Sequence, residues 1–172
     1  EGFEEDLEWI TKELSKEIKM KNRGTLGPGP HDEKEMVCLN RLIRWTTSEN
    51  GNHCLEYEAD PRHAEIAIKQ LGLDGSRTKP LSTPGTKDTA AEFQQSMVSP
   101  ALVGAEARLY RSVTMRLNYL AADRADLEFA VKECARLMSG PTVYSLQKLK
   151  RVGRYLKYRP RYVIRYEMQD EV

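Results

Sequence analysis

Apolar residues recur every three or four positions along much of the chain, which is the spacing of amphipathic helices. Residues 4–19 carry such a stripe, and Asp60-Pro61 offers an N-cap and a first-turn proline for a helix of about ten residues. Beyond residue 99 the same spacing predicts a long helix to about residue 122, a second that Asp126 caps, and a third after residue 141. The C-terminal half is therefore predicted to be mostly helical.

Alternation of apolar and polar residues, the pattern of a half-buried strand, predicts a small sheet. Residues 36–46 alternate, Asn50-Gly51 is a turn signal, and residues 53–58 return as the second strand of an antiparallel hairpin. A last strand is predicted at 161–167. Helices and strands together predict the α+β class, with the hairpin in the N-terminal half.

Residues 74–98 are poor in large apolar side chains and rich in Gly, Ser, Thr, Pro and charge. A connection of this length without regular structure usually marks a boundary within a chain. We therefore predict three parts. Residues 1–73 hold a helix, the hairpin and a short helix, residues 74–98 form a linker or strap, and residues 99–172 form a helical subdomain with a terminal strand.

The composition narrows the class of protein. The chain has 172 residues, of which 31% are charged, and no apolar run approaches the length of about 18–20 residues that a membrane-spanning helix needs. Three widely spaced cysteines favour reduced thiols and an intracellular location, in the cytoplasm, the nucleus or an organelle. Because the first residue is Glu1 rather than Met, we expect a fragment or a processed product.

Charge is segregated near the C-terminus, although the whole chain carries only +1. Residues 148–165 hold eight basic residues and no acidic one. On a helix, Leu149, Val152 and Leu156 would share one face and the cations the opposite one. A one-sided cationic helix favours a polyanion partner, whereas the charges alone favour a solvated helix face. The candidate nucleic-acid-binding residues are Lys148, Lys150, Arg151, Arg154 and Lys157.

Residues with catalytic or metal-binding chemistry form no recognisable motif. The glycines at 24, 27 and 29 alternate with prolines and precede no helix, unlike those of a phosphate-binding loop. His53, Cys54, Glu58 and His63 are close in sequence, but a strand and a helix start would aim them in different directions. We therefore predict no catalytic residue, no metal site and no cofactor.

Several ordered blocks suggest a family. Tyr110-Arg-Ser-Val, Leu117-Asn-Tyr-Leu, Arg124-Ala-Asp and the segment from Leu149 to Lys157 follow one another at a recognisable spacing. They resemble the reverse transcriptases of copia-type LTR retrotransposons, from the end of the palm through the thumb and connection. The sequence Lys-Pro-Leu-Ser-Thr-Pro at 79–84 is similar to the linker that precedes these blocks in the family. The chain departs from the pattern at residue 125, where alanine replaces proline, and at 114–116, which normally holds glycine.

The resemblance implies part of an RNA-directed DNA polymerase that binds a primer–template nucleic acid. It places Leu39, Asn40 and Arg41 at the primer grip, with Asn40 replacing a glycine. The catalytic Tyr-x-Asp-Asp box would lie before residue 1 and the ribonuclease H acids beyond residue 172. Whether the chain is an enzyme stays open, and we expect it to be inactive alone.

Under an alternative hypothesis, the chain has the same retroelement ancestry but a different function. The chain would then be a retroelement-derived structural or interaction subunit of a larger assembly, with no nucleic-acid role. Its partners would be other protein subunits. The absence of the catalytic box from this chain favours this hypothesis, whereas the cationic helix and the preserved order of the blocks favour the polymerase segment.

Overall fold

The computed structural model describes residues 4–168, which form an α+β fold and confirm the predicted class. The helices are α1 (Glu4–Glu17), α2 (Arg62–Gln70), α3 (Ala90–Met97), α4 (Gly104–Ala121), α5 (Glu128–Arg136) and α6 (Val143–Tyr158). The strands are β1 (Glu35–Cys38), β2 (Arg41–Thr47), β3 (His53–Glu58) and β4 (Val163–Glu167).

The four strands form one antiparallel sheet in the order β1-β2-β3-β4. In its register, Ile43 of β2 lies opposite Tyr57 of β3, which lies opposite Ile164 of β4. The predicted hairpin is β2–β3, and the predicted terminal strand is its neighbour β4. Strand β4, the last in the described residues, therefore completes the sheet that the N-terminal half begins.

The segment 36–46 is not one strand, as we expected, but two strands joined by a tight turn. Leu39 and Asn40 form this turn with φ values of 51° and 64°, and Cys38 pairs with Arg41 across it. A two-residue hairpin loop of this kind needs left-handed backbone at both positions, which Asn adopts readily and Leu does not. The apolar–polar alternation continues through the turn, so the pattern did not reveal it.

The core lies among α2, α4, α5 and α6 rather than in the sheet. Val113, Leu117, Val131, Leu149 and Leu156 are fully buried there. Helix α2 packs on α4 and α6, so the core joins the predicted first and third parts of the chain.

Close packing of α6 depends on one glycine. A Cβ atom at Gly153 would lie 2.6 Å from Cδ1 of Leu73 and 3.0 Å from Cδ1 of Leu71. The absence of a side chain at Gly153 therefore lets α6 approach the segment that follows α2.

Two predicted helix starts were wrong. Helix α4 begins at Gly104, because residues 100–102 instead bond to the segment before α6: Leu102 N–H donates to Pro141 O at 2.8 Å. Helix α5 begins at Glu128 and Asp126 does not cap it, because the Asp126 carboxylate accepts bonds from Arg124 and Tyr155. A further helix, α3, occupies the end of the predicted linker, where Thr89 and Glu92 form a capping box.

Helix α1 contacts no other helix or strand of the described chain. Its apolar stripe is exposed, and Leu7, Ile10, Leu14 and Ile18 all face solvent. Among residues 4–168 we find no helix with the length and apolar content needed to cross a membrane.

Candidate nucleic-acid interface

The cationic helix forms as predicted, with its apolar face in the core. Leu149, Val152 and Leu156 are buried. The opposite face is not open, because residues 74–88 run across it; we call these residues the strap. The strap contains few large apolar side chains, so its position depends on polar contacts with α6.

The C-terminal half of α6 binds the start of the strap, and the residue before it, through backbone carbonyl groups. Lys157 Nζ donates to Leu73 O at 2.8 Å and to Gly75 O at 2.9 Å. Arg154 Nε donates to Lys79 O at 2.7 Å. The backbone of α6 takes part too, since Leu81 N–H donates to Arg154 O at 3.2 Å.

The N-terminal half of α6 binds the end of the strap. Arg151 Nη2 donates to Thr83 Oγ1 at 2.8 Å. Lys148 forms an ion pair with Asp88, with Nζ and Oδ2 2.6 Å apart. Burial raises the pKa of Asp88, but hydrogen bonds from Lys148 and Tyr144 outweigh it and lower the pKa overall. Burial and the bond to Asp88 raise the pKa of Tyr144 to about 12.

Four of the five candidate residues are therefore already engaged within the chain, and Lys150 alone is exposed without a partner among residues 4–168. The acceptors of Arg151, Arg154 and Lys157 are uncharged oxygen atoms. A carbonyl or hydroxyl oxygen orients a cation but does not cancel its charge. Only Lys148 faces a carboxylate, so the face keeps most of its positive charge.

The strap adds cations that our sequence reasoning overlooked. Arg77, Lys79 and Lys87 are exposed, and no ion pair forms to them within the described residues. Strap and α6 together carry eight cations against two acids, Asp74 and Asp88. The signal was present in the sequence as basic residues in a segment otherwise typical of a linker, but only the fold brings them beside α6.

The primer-grip candidates lie at the β1–β2 turn, apart from the residues that hold the strap. Leu39 is 77% exposed. Arg41 Nε donates to Asp123 Oδ2 at 2.8 Å, and Tyr57 Oη donates to Asp123 Oδ1 at 2.6 Å. Burial and the Asp123 hydrogen bond raise the pKa of Tyr57 to about 12. Arg41 and Tyr57 thus fasten the sheet to the segment after α4.

The residues considered for a metal site are not brought together. The His53 ring lies 5.4 Å from that of Trp45, and the His63 ring lies 4.9 Å from that of Tyr119. Within residues 4–168, no group of three or more metal-ligating side chains converges.

Comparison of the chain with protein-family models, with curated proteins and with solved structures found no match.

Proposed function

We propose that this chain is the non-catalytic, nucleic-acid-gripping segment of a copia-type reverse transcriptase, and that it binds a primer–template duplex through the phosphates. The observation that carries the proposal is the uncancelled charge of the strap and α6. Three cations of α6 are held by uncharged oxygens, and three more project from the strap. A phosphate backbone is the polyanion that such a face suits.

The geometry favours binding without sequence readout. The cations come from one helix, whose apolar face is buried in the core, and from an extended segment. Phosphate contacts of this kind position a duplex and carry no base information. Because the strap already orders Arg151, Arg154 and Lys157, these side chains lose less conformational freedom on binding than free ones would.

The test substitutes the cations that project freely and leaves those that hold the strap. Changing Arg77, Lys79, Lys87 and Lys150 to Gln removes four charges and no hydrogen bond described in the chain. Each phosphate contact contributes about 0.9 to the slope of log affinity against log salt on a B-form duplex, so the slope should fall by up to about 3–4. Binding to a short duplex is titrated at several salt concentrations.

A matched control removes four charges elsewhere. Lys12, Lys19, Lys21 and Arg108 are exposed and lie outside the strap and α6. Their replacement by Gln should leave the slope nearly unchanged. A wild-type chain that ignores the duplex at low salt, or a control that lowers the slope equally, would refute the proposal.

A second candidate function is that of a structural or interaction subunit without a nucleic-acid role. The exposed apolar stripe of α1 favours it, because this helix finds no partner among the other described elements. This function predicts little affinity for duplex at moderate salt, with equal titrations for wild type and both quadruple variants.

A further inference from the structure

A cavity of about 950 Å³ lies between the strap, α5 and α6. This volume is at the upper end of the range of small-molecule sites, about 300–1,000 Å³. The cavity shares Arg77, Lys79, Lys87 and Lys150 with the phosphate-facing surface described above, but it adds a concave space with an apolar wall on the α5 side.

The cavity has an apolar wall. Leu73, Leu81, Ala130 and Val152 line it, and Phe129 stands at its edge with 71% of its surface exposed. Buried Cys134 also lines it; burial raises the pKa of this thiol to about 11, so it contributes a neutral surface. An apolar or aromatic body of moderate size would be desolvated there.

The polar lining is predominantly basic, and two of its three acids are paired with cations. The lining cations are Arg77, Lys79, Lys87, Lys148, Lys150, Arg151 and Arg154. Of the lining acids, Asp88 pairs with Lys148, Glu92 accepts from the Thr89 N–H in the α3 capping box, and Glu133 pairs with Arg136. The charge that remains for a ligand to meet is therefore positive.

Arg151 lines the cavity, and its charge is not paired with any carboxylate of the described residues. Arg151 Nη2 bonds to Thr83, but Arg151 Nε is buried and has no hydrogen-bond partner among residues 4–168. Within the described part of the chain, the only partner of the guanidinium is the uncharged Thr83 hydroxyl, so its positive charge remains for an anionic group in the cavity.

The strap that borders the cavity is fastened on both sides of it. The Leu81–Arg154 backbone bond holds one side, and the Lys148–Asp88 ion pair holds the other. Between them the strap approaches α5 so closely that a Cβ atom at Gly85 would lie 3.2 Å from Cβ of Ala130. A preformed site avoids the cost of ordering its walls on binding.

We propose that this cavity binds a small amphipathic organic anion, with an apolar or aromatic body against the α5 side and a phosphate or carboxylate group at Arg151 and Lys150. The inference does not depend on duplex binding. Both parts of the ligand are required, because the apolar wall cannot recognise a bare anion and the cations cannot recognise a neutral hydrocarbon.

The test uses a matched series of probes in isothermal titration calorimetry with the full chain. 1-Naphthyl phosphate and 1-naphthoate carry both parts, whereas 1-naphthol and inorganic phosphate carry one each. We expect one naphthyl anion per chain, bound at least about tenfold more tightly than 1-naphthol or inorganic phosphate. The stronger of the two naphthyl anions identifies the head group as phosphate or carboxylate.

Variants locate the ligand. Arg151→Gln and Phe129→Ser should each weaken binding at least about tenfold. Since Arg151→Gln also breaks the bond to the strap, Thr83→Val serves as its control: it removes that bond, keeps the guanidinium and should keep the affinity. Arg108→Gln, on exposed α4 surface, should change nothing.

Three results would overturn the inference: no binding of either naphthyl anion, equal affinity for 1-naphthol, or equal losses in Arg151→Gln and Thr83→Val. Duplex titration of the same preparations separates the two proposals. A chain that binds duplex and ignores both naphthyl anions retains the proposed function and lacks the cavity site.

Discussion

Replacing Arg124 by methionine should destabilise the fold strongly, because this arginine is the centre of a buried polar cluster. It lies between α4 and α5 with 2% of its surface exposed. Its Nε and Nη2 atoms donate to the Asp126 carboxylate at 2.9 and 2.8 Å, and Nη2 also donates to Arg159 O at 3.0 Å. Tyr155 of α6 donates to the same carboxylate at 2.8 Å. The cluster therefore ties the α4–α5 connection to α6 and to the segment before β4.

The magnitude follows from what the substitution leaves behind. Asp126, with 12% of its side chain exposed, would lose its cation but stay largely buried. Removing one partner of a buried ion pair costs about 3–5 kcal/mol of unfolding free energy. In a chain of this size 1 kcal/mol corresponds to about 2–4 °C, so the melting temperature should fall by about 6–20 °C.

The pH dependence provides a second, independent readout. Burial raises the pKa of Asp126, but the hydrogen bonds from Arg124 and Tyr155 outweigh it, so the pKa lies below its ordinary value of 3.8. A carboxyl group with a lowered folded-state pKa stabilises the fold above its unfolded pKa, and this contribution is lost as pH falls through the folded value. Without Arg124, burial should raise the pKa instead, and protonation would then favour the folded variant. The gap between wild type and Arg124→Met should therefore narrow from pH 7 to about pH 4.

Urea unfolding at both pH values measures these effects. Arg136→Gln is the control, because Arg136 is 72% exposed in its ion pair with Glu133 and its loss should cost at most about 0.5 kcal/mol. A folded Arg124→Met variant that loses less than about 1 kcal/mol at pH 7 would refute the reasoning. So would a gap that widens on acidification.

Two further predictions concern the β1–β2 turn and the cysteines. Replacing Leu39 by Asn together with Asn40 by Gly should raise the unfolding free energy by about 1 kcal/mol in urea, because both positions have left-handed backbone; a loss of stability would contradict the turn geometry. In the native chain iodoacetamide should modify exposed Cys38, while Cys134, buried and with its pKa raised to about 11, reacts only after denaturation. Mass spectrometry of labelled peptides distinguishes the two cysteines.

Hydrophobic periodicity was sufficient to predict the helices and strands whose buried face is determined by their own residues. The apolar face of α6 is buried as its spacing predicts, and the strand at 163–167 lies within the predicted 161–167. One error occurred where residues outside the capping pattern compete for a polar group. In sequence Asp126 is an ordinary N-cap candidate, but in the structure Arg124 and Tyr155 donate hydrogen bonds to its carboxylate. No local pattern reports which of two partners a carboxylate takes.

The candidate site also depends on contacts between segments far apart in the sequence, which local patterns do not predict. The helix α6 and its buried apolar face were predicted, but the neighbours of its cations were not, because the strap contacts them across about 75 positions of chain. A partner this distant in sequence does not affect the hydrophobic periodicity of α6. The cavity beneath the strap was equally hidden, since its lining comes from the strap, α5 and α6 together.

The position of the strap shows that the cationic face of a helix can be covered by another segment of the same chain, rather than by solvent or by a polyanion alone. A segment with few large apolar side chains cannot be held by hydrophobic burial, but its backbone carbonyls remain strong acceptors. Long cationic side chains reach such carbonyls, as Lys157 does at Leu73 and Gly75 and Arg154 does at Lys79. Neutral acceptors order the cations without neutralising them. The same contacts that fasten the strap therefore leave a positively charged face and a cavity with a mostly basic polar lining.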